Sequence, residues 1–235
     1  MRQRVVLVTG GTGAIGGEIV RALCRDTAQC WRVVANYARD EARARALQAE
    51  TGCELHRADV GSEEQVGAMF AATSPLFAVI HAAGASRNAL MLSQTHDDWH
   101  ESLRVNATGS FLVARGALAS LQDGGRLVLL ASRVGESGNA GQGAYAASKA
   151  AVIALAKVAA REGGEMRICA NAICPGFVPS ALTASLPVER LDEFRRRSVL
   201  DEFGTGAHVA SAVQWLLSDE GAGVSGQVVH CDSRI

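Results

Sequence analysis

The chain has 235 residues, 48% hydrophobic and 20% charged, which suits one α/β domain and argues against disorder. Its 23 Lys and Arg nearly balance 24 Asp and Glu, so charge gives no reason to expect nucleic acid or an anionic membrane as partner. No apolar run approaches the roughly 20 residues of a membrane span, and Thr9-Gly10-Gly11 cuts the N-terminal apolar stretch too short for a signal peptide. The cysteines at 24, 30, 53, 169, 174 and 231 form no CxxC pair, and the histidines show no HExxH spacing. The expectation is reduced core thiols, a cytoplasmic location and no metal.

The first predicted strand, Val5-Val6-Leu7-Val8, leads into Thr9-Gly10-Gly11-Thr12-Gly13-Ala14-Ile15-Gly16 and an amphipathic helix from Ala14 to Arg25. A glycine turn between strand and helix brings backbone N–H groups close to a pyrophosphate, on the positive end of the helix dipole. Gly10, Gly11, Thr12, Gly13, Ile15 and Gly16 are therefore candidate dinucleotide contacts. The second strand, Trp31 to Ala35, ends in Asn36-Tyr37-Ala38-Arg39. The acid that holds the ribose hydroxyls of NAD is absent there, and Arg39 offers a fork of donors to a 2′-phosphate. NADPH is the expected cofactor, with Asn36, Tyr37 and Arg39 at its adenosine ribose.

A helix from Glu41 to Thr51 and a strand from Cys53 to His56 follow. Asp59-Val60 then offers a carboxylate and a backbone N–H to an adenine edge. After a helix from Ser62 to Thr73 and a strand from Phe77 to Ile80, His81-Ala82-Ala83-Gly84 forms a small turn suited to the adenosine side; Ala82, Ala83 and Gly84 are the contacts expected there. All these positions fall at the C-terminal ends of strands, where open α/β sheets bind ligands.

Asn106 sits inside a helical stretch, where asparagine is a poor helix former and needs a reason. It is suited to hold a water linking Lys149 to solvent. The fifth strand, Arg126 to Leu130, ends near Ser132, whose hydroxyl can donate to a substrate oxygen as charge develops. Tyr145 and Lys149 stand four residues apart at the start of a helix running to Arg161, on one face. A phenol titrates near pH ~10, and a neighbouring ammonium lowers that value, which suits proton exchange with a carbonyl or alcohol oxygen.

The sixth strand, Arg167 to Ile173, precedes an irregular stretch whose residues 178–205 are a candidate substrate lid, with Arg195-Arg196-Arg197 a solvated helix face. The seventh strand is Gln227 to His230. Strand and helix alternate throughout, predicting a single-domain Rossmann fold, a doubly wound seven-stranded parallel sheet with helices on both faces.

The set Thr9-Gly10-x-x-x-Ala14-x-Gly16, Asn106, Ser132, Tyr145-x-x-x-Lys149 and Cys174-Pro175-Gly176, in order over essentially the whole chain, resembles the short-chain dehydrogenase/reductase family. Gly138-Asn139-Ala140-Gly141-Gln142, Asn36-Tyr37-Ala38-Arg39 and the tail Trp215 to Gln227 are most similar to its 3-oxoacyl-[acyl-carrier-protein] reductases. The resemblance implies Tyr145 as proton donor, Lys149 on the nicotinamide ribose, Ser132 orienting the carbonyl and Asn106 supporting a proton relay. It also implies nicotinamide contacts from Pro175, Gly176 and Val178, with Ser180 where a threonine is common. Further implications are a 3-oxoacyl thioester substrate, an acyl carrier protein as partner, and a homo-oligomer, tetramer or dimer.

Three departures stand out. His81 replaces an asparagine, the basic residues expected before the fifth strand and after the Tyr145 helix are missing, and Asp232-Ser233-Arg234-Ile235 replaces Asp-Gly-Gly. A reductase or dehydrogenase of a small ketone or secondary alcohol is the alternative, and a cofactor-binding sensor is disfavoured because all four catalytic positions are filled.

Overall fold

The computed structural model describes residues 3–179 and 188–233. Seven parallel strands run in the order β3-β2-β1-β4-β5-β6-β7. They are β1 Val5–Thr9, β2 Arg32–Tyr37, β3 Glu54–Arg57, β4 Leu76–His81, β5 Leu121–Leu130, β6 Cys169–Pro175 and β7 Val228–Cys231. The helices are α1 Ala14–Arg25, α2 Glu41–Thr51, α3 Glu63–Thr73, α4 His96–Ser102, α5 Gly109–Ser120, α6 Val134–Ser137, α7 Gly143–Glu162, α8 Val188–Arg196 and α9 Gly206–Leu217. The doubly wound arrangement expected from the alternation is the one present.

Side chains on successive strand residues point to opposite faces, so a strand covered on both sides is apolar throughout. Leu7, Leu127 and Leu129 pack with α3, α5 and α7, while Val6, Val8, Val128 and Leu130 pack with α1 and α9. Full burial of each such side chain contributes roughly 1.5–3 kcal/mol. The order reverses beside β1, whose neighbours are β2 and β4. The crossovers from β1 and β4 leave in opposite directions there, opening a crevice at the strand ends.

Two boundaries differ from the pattern reading. Arg167, expected in the sixth strand, has φ 53°, a left-handed conformation that delays β6 to Cys169. Leu121 pairs with Leu76 and the register then shifts, so β5 begins well before Arg126. One correction concerns hydropathy. Among the described residues, α7 is long and apolar enough to cross a membrane by length and composition. Here that helix packs against β5, β6 and α5, and it carries Tyr145 and Lys149.

Candidate active site

A cleft of about 910 Å³ lies over the C-terminal ends of the strands. Gly13, Ile15 and Gly16 line one end, Ala82 and Gly84 the floor, and Ser132, Tyr145, Lys149, Pro175, Gly176 and Val178 the other end. Gly10, Gly11 and Thr12 form the turn leading into the first group, and the Ala83 backbone packs against Gly10. Ser180 lies outside the described residues, as does most of the first half of the expected lid.

The glycine turn is built for close approach. Gly10 has φ 63°, and a Cβ on it would stand 2.6 Å from the Ala83 backbone N. Gly13 N–H donates to the Gly10 carbonyl at 2.9 Å, and a Cβ on Gly16 would overlap that same carbonyl oxygen. Helix α1 is preceded by the N-cap residue Gly13, and no side chain caps it. Its first N–H groups therefore face the cleft without a partner from a cap, the arrangement that suits a phosphate.

The adenosine-side candidates divide into two kinds. Asn36 is buried and points inward: its Oδ1 accepts from Gly10 N–H at 3.3 Å and its Nδ2 donates to the Ala58 carbonyl at 2.9 Å. It braces the glycine turn rather than presenting its amide to the cleft, which corrects its expected place at the ribose. Tyr37 is buried behind it. Arg39 is exposed, 3.7 Å from Glu101, and does not line the cleft. Arg43 does. The Asp40 side chain caps α2 by accepting from Arg43 N–H at 2.9 Å, which starts the helix so that Arg43 falls in its first turn. The chain spacing that singled out Arg39 missed Arg43, although the two are one helical turn apart. Asp59 holds Gly61 N–H at 2.9 Å and Arg104 at 2.9 Å, which stiffens the turn carrying the buried Val60. Arg195 and Arg197 pair with acids of the same segment, as a solvated face does, yet Arg197 also reaches the cleft.

At the reacting end, Ser132 and Tyr145 line the same part of the cleft, close enough for the serine hydroxyl to act on the phenol. Lys149 is buried, donates from Nζ to the Leu130 carbonyl at 2.7 Å, and stands 5.8 Å from the centre of the Tyr145 ring. Burial pushes the Lys149 ammonium down to about 8. Burial also raises the Tyr145 phenol above its usual value, and the Ser132 hydrogen bond opposes that rise. The expected lowering of Tyr145 by Lys149 is not what prevails here. Desolvation is the largest influence, so the phenol keeps its proton at neutral pH, the form that donates.

Asn106 occupies a π-helical turn, Leu103–Thr108, between α4 and α5. Its Nδ2 donates to the Ala85 carbonyl at 2.8 Å and to Ser148 Oγ at 2.9 Å, and its Oδ1 accepts from Ala85 N–H at 2.8 Å. The Asn106 carbonyl accepts from Ser110 Oγ at 2.5 Å. The side chain expected to hold a water is thus engaged in tying the Gly84 turn to α7. A π turn of this kind is the reason that explains an asparagine in a helix.

His81, the residue in place of the family's asparagine, is fully buried and shares a 2.7 Å hydrogen bond through Nδ1 with Thr9 Oγ1. Its Nε2 has no hydrogen-bond partner among the described residues. Burial first, and the Lys149 charge second, push it down to about 3 from 6.5. The unfolded chain binds a proton there below pH ~6.5 and the folded chain does not until about 3. Stability is therefore fully present above pH ~6.5 and falls by roughly 1.4 kcal/mol per unit as pH drops below it. Urea midpoints at pH 7, 6 and 5 are expected to drop less steeply for His81→Asn than for the parent; parallel slopes would show that His81 is not the group responsible.

A glycine turn, an uncapped helix N-terminus and a hydroxyl pair beside a buried lysine define a dinucleotide-dependent oxidoreductase site on a Rossmann sheet. Comparison with known proteins agrees. A family profile described as "Enoyl-(Acyl carrier protein) reductase" matches residues 11–233. Acetoacetyl-CoA reductase of Rhizobium meliloti (strain 1021) is 32% identical, with 97% of each chain aligned. The 3-oxoacyl-[acyl-carrier-protein] reductase FabG of Aquifex aeolicus (strain VF5) is 32% identical over 98% of this chain and 96% of its own. The crystal structure of BdcA in complex with NADPH superposes with a TM-score of 0.90 at 27% identity, covering 98% of this chain and 93% of that one. The chain belongs to the short-chain dehydrogenase/reductase family and is an oxidoreductase acting on CH–OH and C=O groups.

Proposed function

We propose that the protein is an NADPH-dependent 3-oxoacyl thioester reductase, forming the 3-hydroxyacyl product for fatty-acid or polyketide-type synthesis in the cytoplasm. The observation that carries this reading is the placement of Ser132 beside Tyr145, with the phenol held protonated, at one end of a cleft continuous with the glycine turn. NADPH, when bound, supplies the hydride to the carbonyl carbon. The Gly10–Gly16 turn and the α1 N-terminus would hold its pyrophosphate, Arg43 would pair with its 2′-phosphate, and Pro175, Gly176 and Val178 would contact its nicotinamide end. Ser132 donates a hydrogen bond to the carbonyl oxygen, and Tyr145 delivers the proton that makes it a hydroxyl. Lys149 supports the Tyr145 side and holds the nicotinamide ribose.

The relatives act on acetoacetyl-CoA and on carrier-protein thioesters by their names. Phe111 of α5 and Val158 of α7 are exposed apolar residues, which suits the homo-oligomer that the family resemblance implies.

Purified protein with NADPH and a panel of acetoacetyl-CoA, acetoacetyl carrier protein and simple ketones tests the substrate class. Reduction of ketones but of neither thioester overturns the reading. In the same assay Arg43→Ala is expected to raise the KM for NADPH about tenfold, roughly 1.4 kcal/mol, while sparing NADH. Arg39→Ala serves as comparison; a loss confined to that variant moves the phosphate contact back to Arg39.

A further inference from the structure

Glu136, Cys174 and His230 come from α6, β6 and β7, and each offers a ligand atom within 4.8 Å of the other two. Cys174 and His230 are register partners across the β6–β7 pair, which puts their side chains on one face of the sheet. Glu136 comes down from α6, one turn past Ser132, and its Oε2 lies 2.7 Å from His230 Nε2. Cys174 is fully buried, whereas Glu136 and His230 are open to solvent. The cluster therefore has a closed, soft-donor floor and an open mouth.

We propose that these three side chains form a binding site for a thiophilic divalent cation, with Zn²⁺ the ion that fits the donor set. Thiolate, imidazole and carboxylate together are a zinc-type set, and three protein ligands leave a fourth position for water. Bond lengths of about 2.0–2.3 Å place tetrahedral ligand atoms roughly 3.4–3.6 Å apart. The imidazole and carboxylate must open slightly and the thiol must approach slightly, movements within reach of small side-chain rotations. A plain His–Glu ion pair is the competing account; such exposed pairs contribute little and have no need of a thiol. The three residues are far apart in the chain, so local spacing motifs such as CxxC and HExxH do not reveal them. The cluster also lies apart from the glycine turn, and its test does not depend on the reductase reading.

The test is a titration of the full chain with Co²⁺, followed by near-ultraviolet absorbance, with Zn²⁺ as displacer. Expected is a thiolate-to-cobalt charge-transfer band saturating at one equivalent and abolished by Zn²⁺. Cys174→Ser should remove the band, and His230→Asn and Glu136→Gln should weaken binding at least about tenfold. The latter two replace exposed residues, so they report even if the cysteine variant fails to fold. His96→Ala with His100→Ala is the control, because those exposed imidazoles stand 3.0 Å apart through Nε2 and can take up a metal by themselves. Absence of the band in the parent, its persistence in His230→Asn, or its loss only in the His96 and His100 variant would overturn the proposal.

Discussion

Tyr145→Phe is expected to lower kcat about 10²–10⁴-fold while changing the NADPH dissociation constant less than threefold. The substitution deletes one hydroxyl and leaves the ring, so the packing of α7 is retained. What disappears is the proton donor and the partner of Ser132. Because burial keeps the phenol protonated, the loss should be nearly flat between pH 6 and 8 rather than concentrated at one end. Stopped-flow fluorescence for binding and NADPH absorbance for turnover separate the two effects. A variant that keeps a tenth or more of its kcat assigns proton delivery to another group.

Gly16→Ala is expected to act at the opposite end of the cleft and through a different route. The added Cβ meets the Gly10 carbonyl oxygen, and the nearby Gly11 Cα allows no retreat. That carbonyl already receives the Gly13 N–H. Either α1 shifts outward or the turn opens; both misplace the N–H groups meant for the pyrophosphate. Overpacking against backbone costs roughly 1–3 kcal/mol, and the NADPH affinity should fall with it. Chemical denaturation gives the first quantity and cofactor titration the second. Parent-like stability together with parent-like affinity would show that the turn tolerates a side chain, contrary to its geometry.

Much of this was readable in the chain because the relevant signals are local. Runs apolar on both faces placed β1, β2 and β4, and the bounds of α1 follow from amphipathic spacing. Tyr145 and Lys149 share a helix face, so their pairing needed no tertiary information. The rest depended on partners distant in sequence. Asn36 reads as a ribose contact until Gly10 and Ala58 are seen around its amide. Arg43 is one among many arginines until α2 turns it to the cleft. The Tyr145 phenol was expected to be lowered by its neighbour, because burial, which decides the matter, is a property of the folded whole. The π turn at Asn106 is likewise invisible in periodicity, although the misfit of an asparagine in a helix marked the place.

The amide of Asn106 has a bearing on how such a site diversifies. It fastens the Ala85 backbone to Ser148, next to Lys149 on the helix that bears the proton donor. Downstream, Ser86, Asn88 and Ala89 line the cleft, and Leu90, Met91 and Leu92 are exposed. The end anchored by Asn106 and the wall, tied separately through Ala89 N–H to the Gly141 carbonyl, are thus different parts of one loop. Exchanging the wall for another of different size or polarity leaves the clamp intact, so a change of substrate need not carry a loss of chemistry. Selectivity and catalysis are in this sense separable parts of one loop.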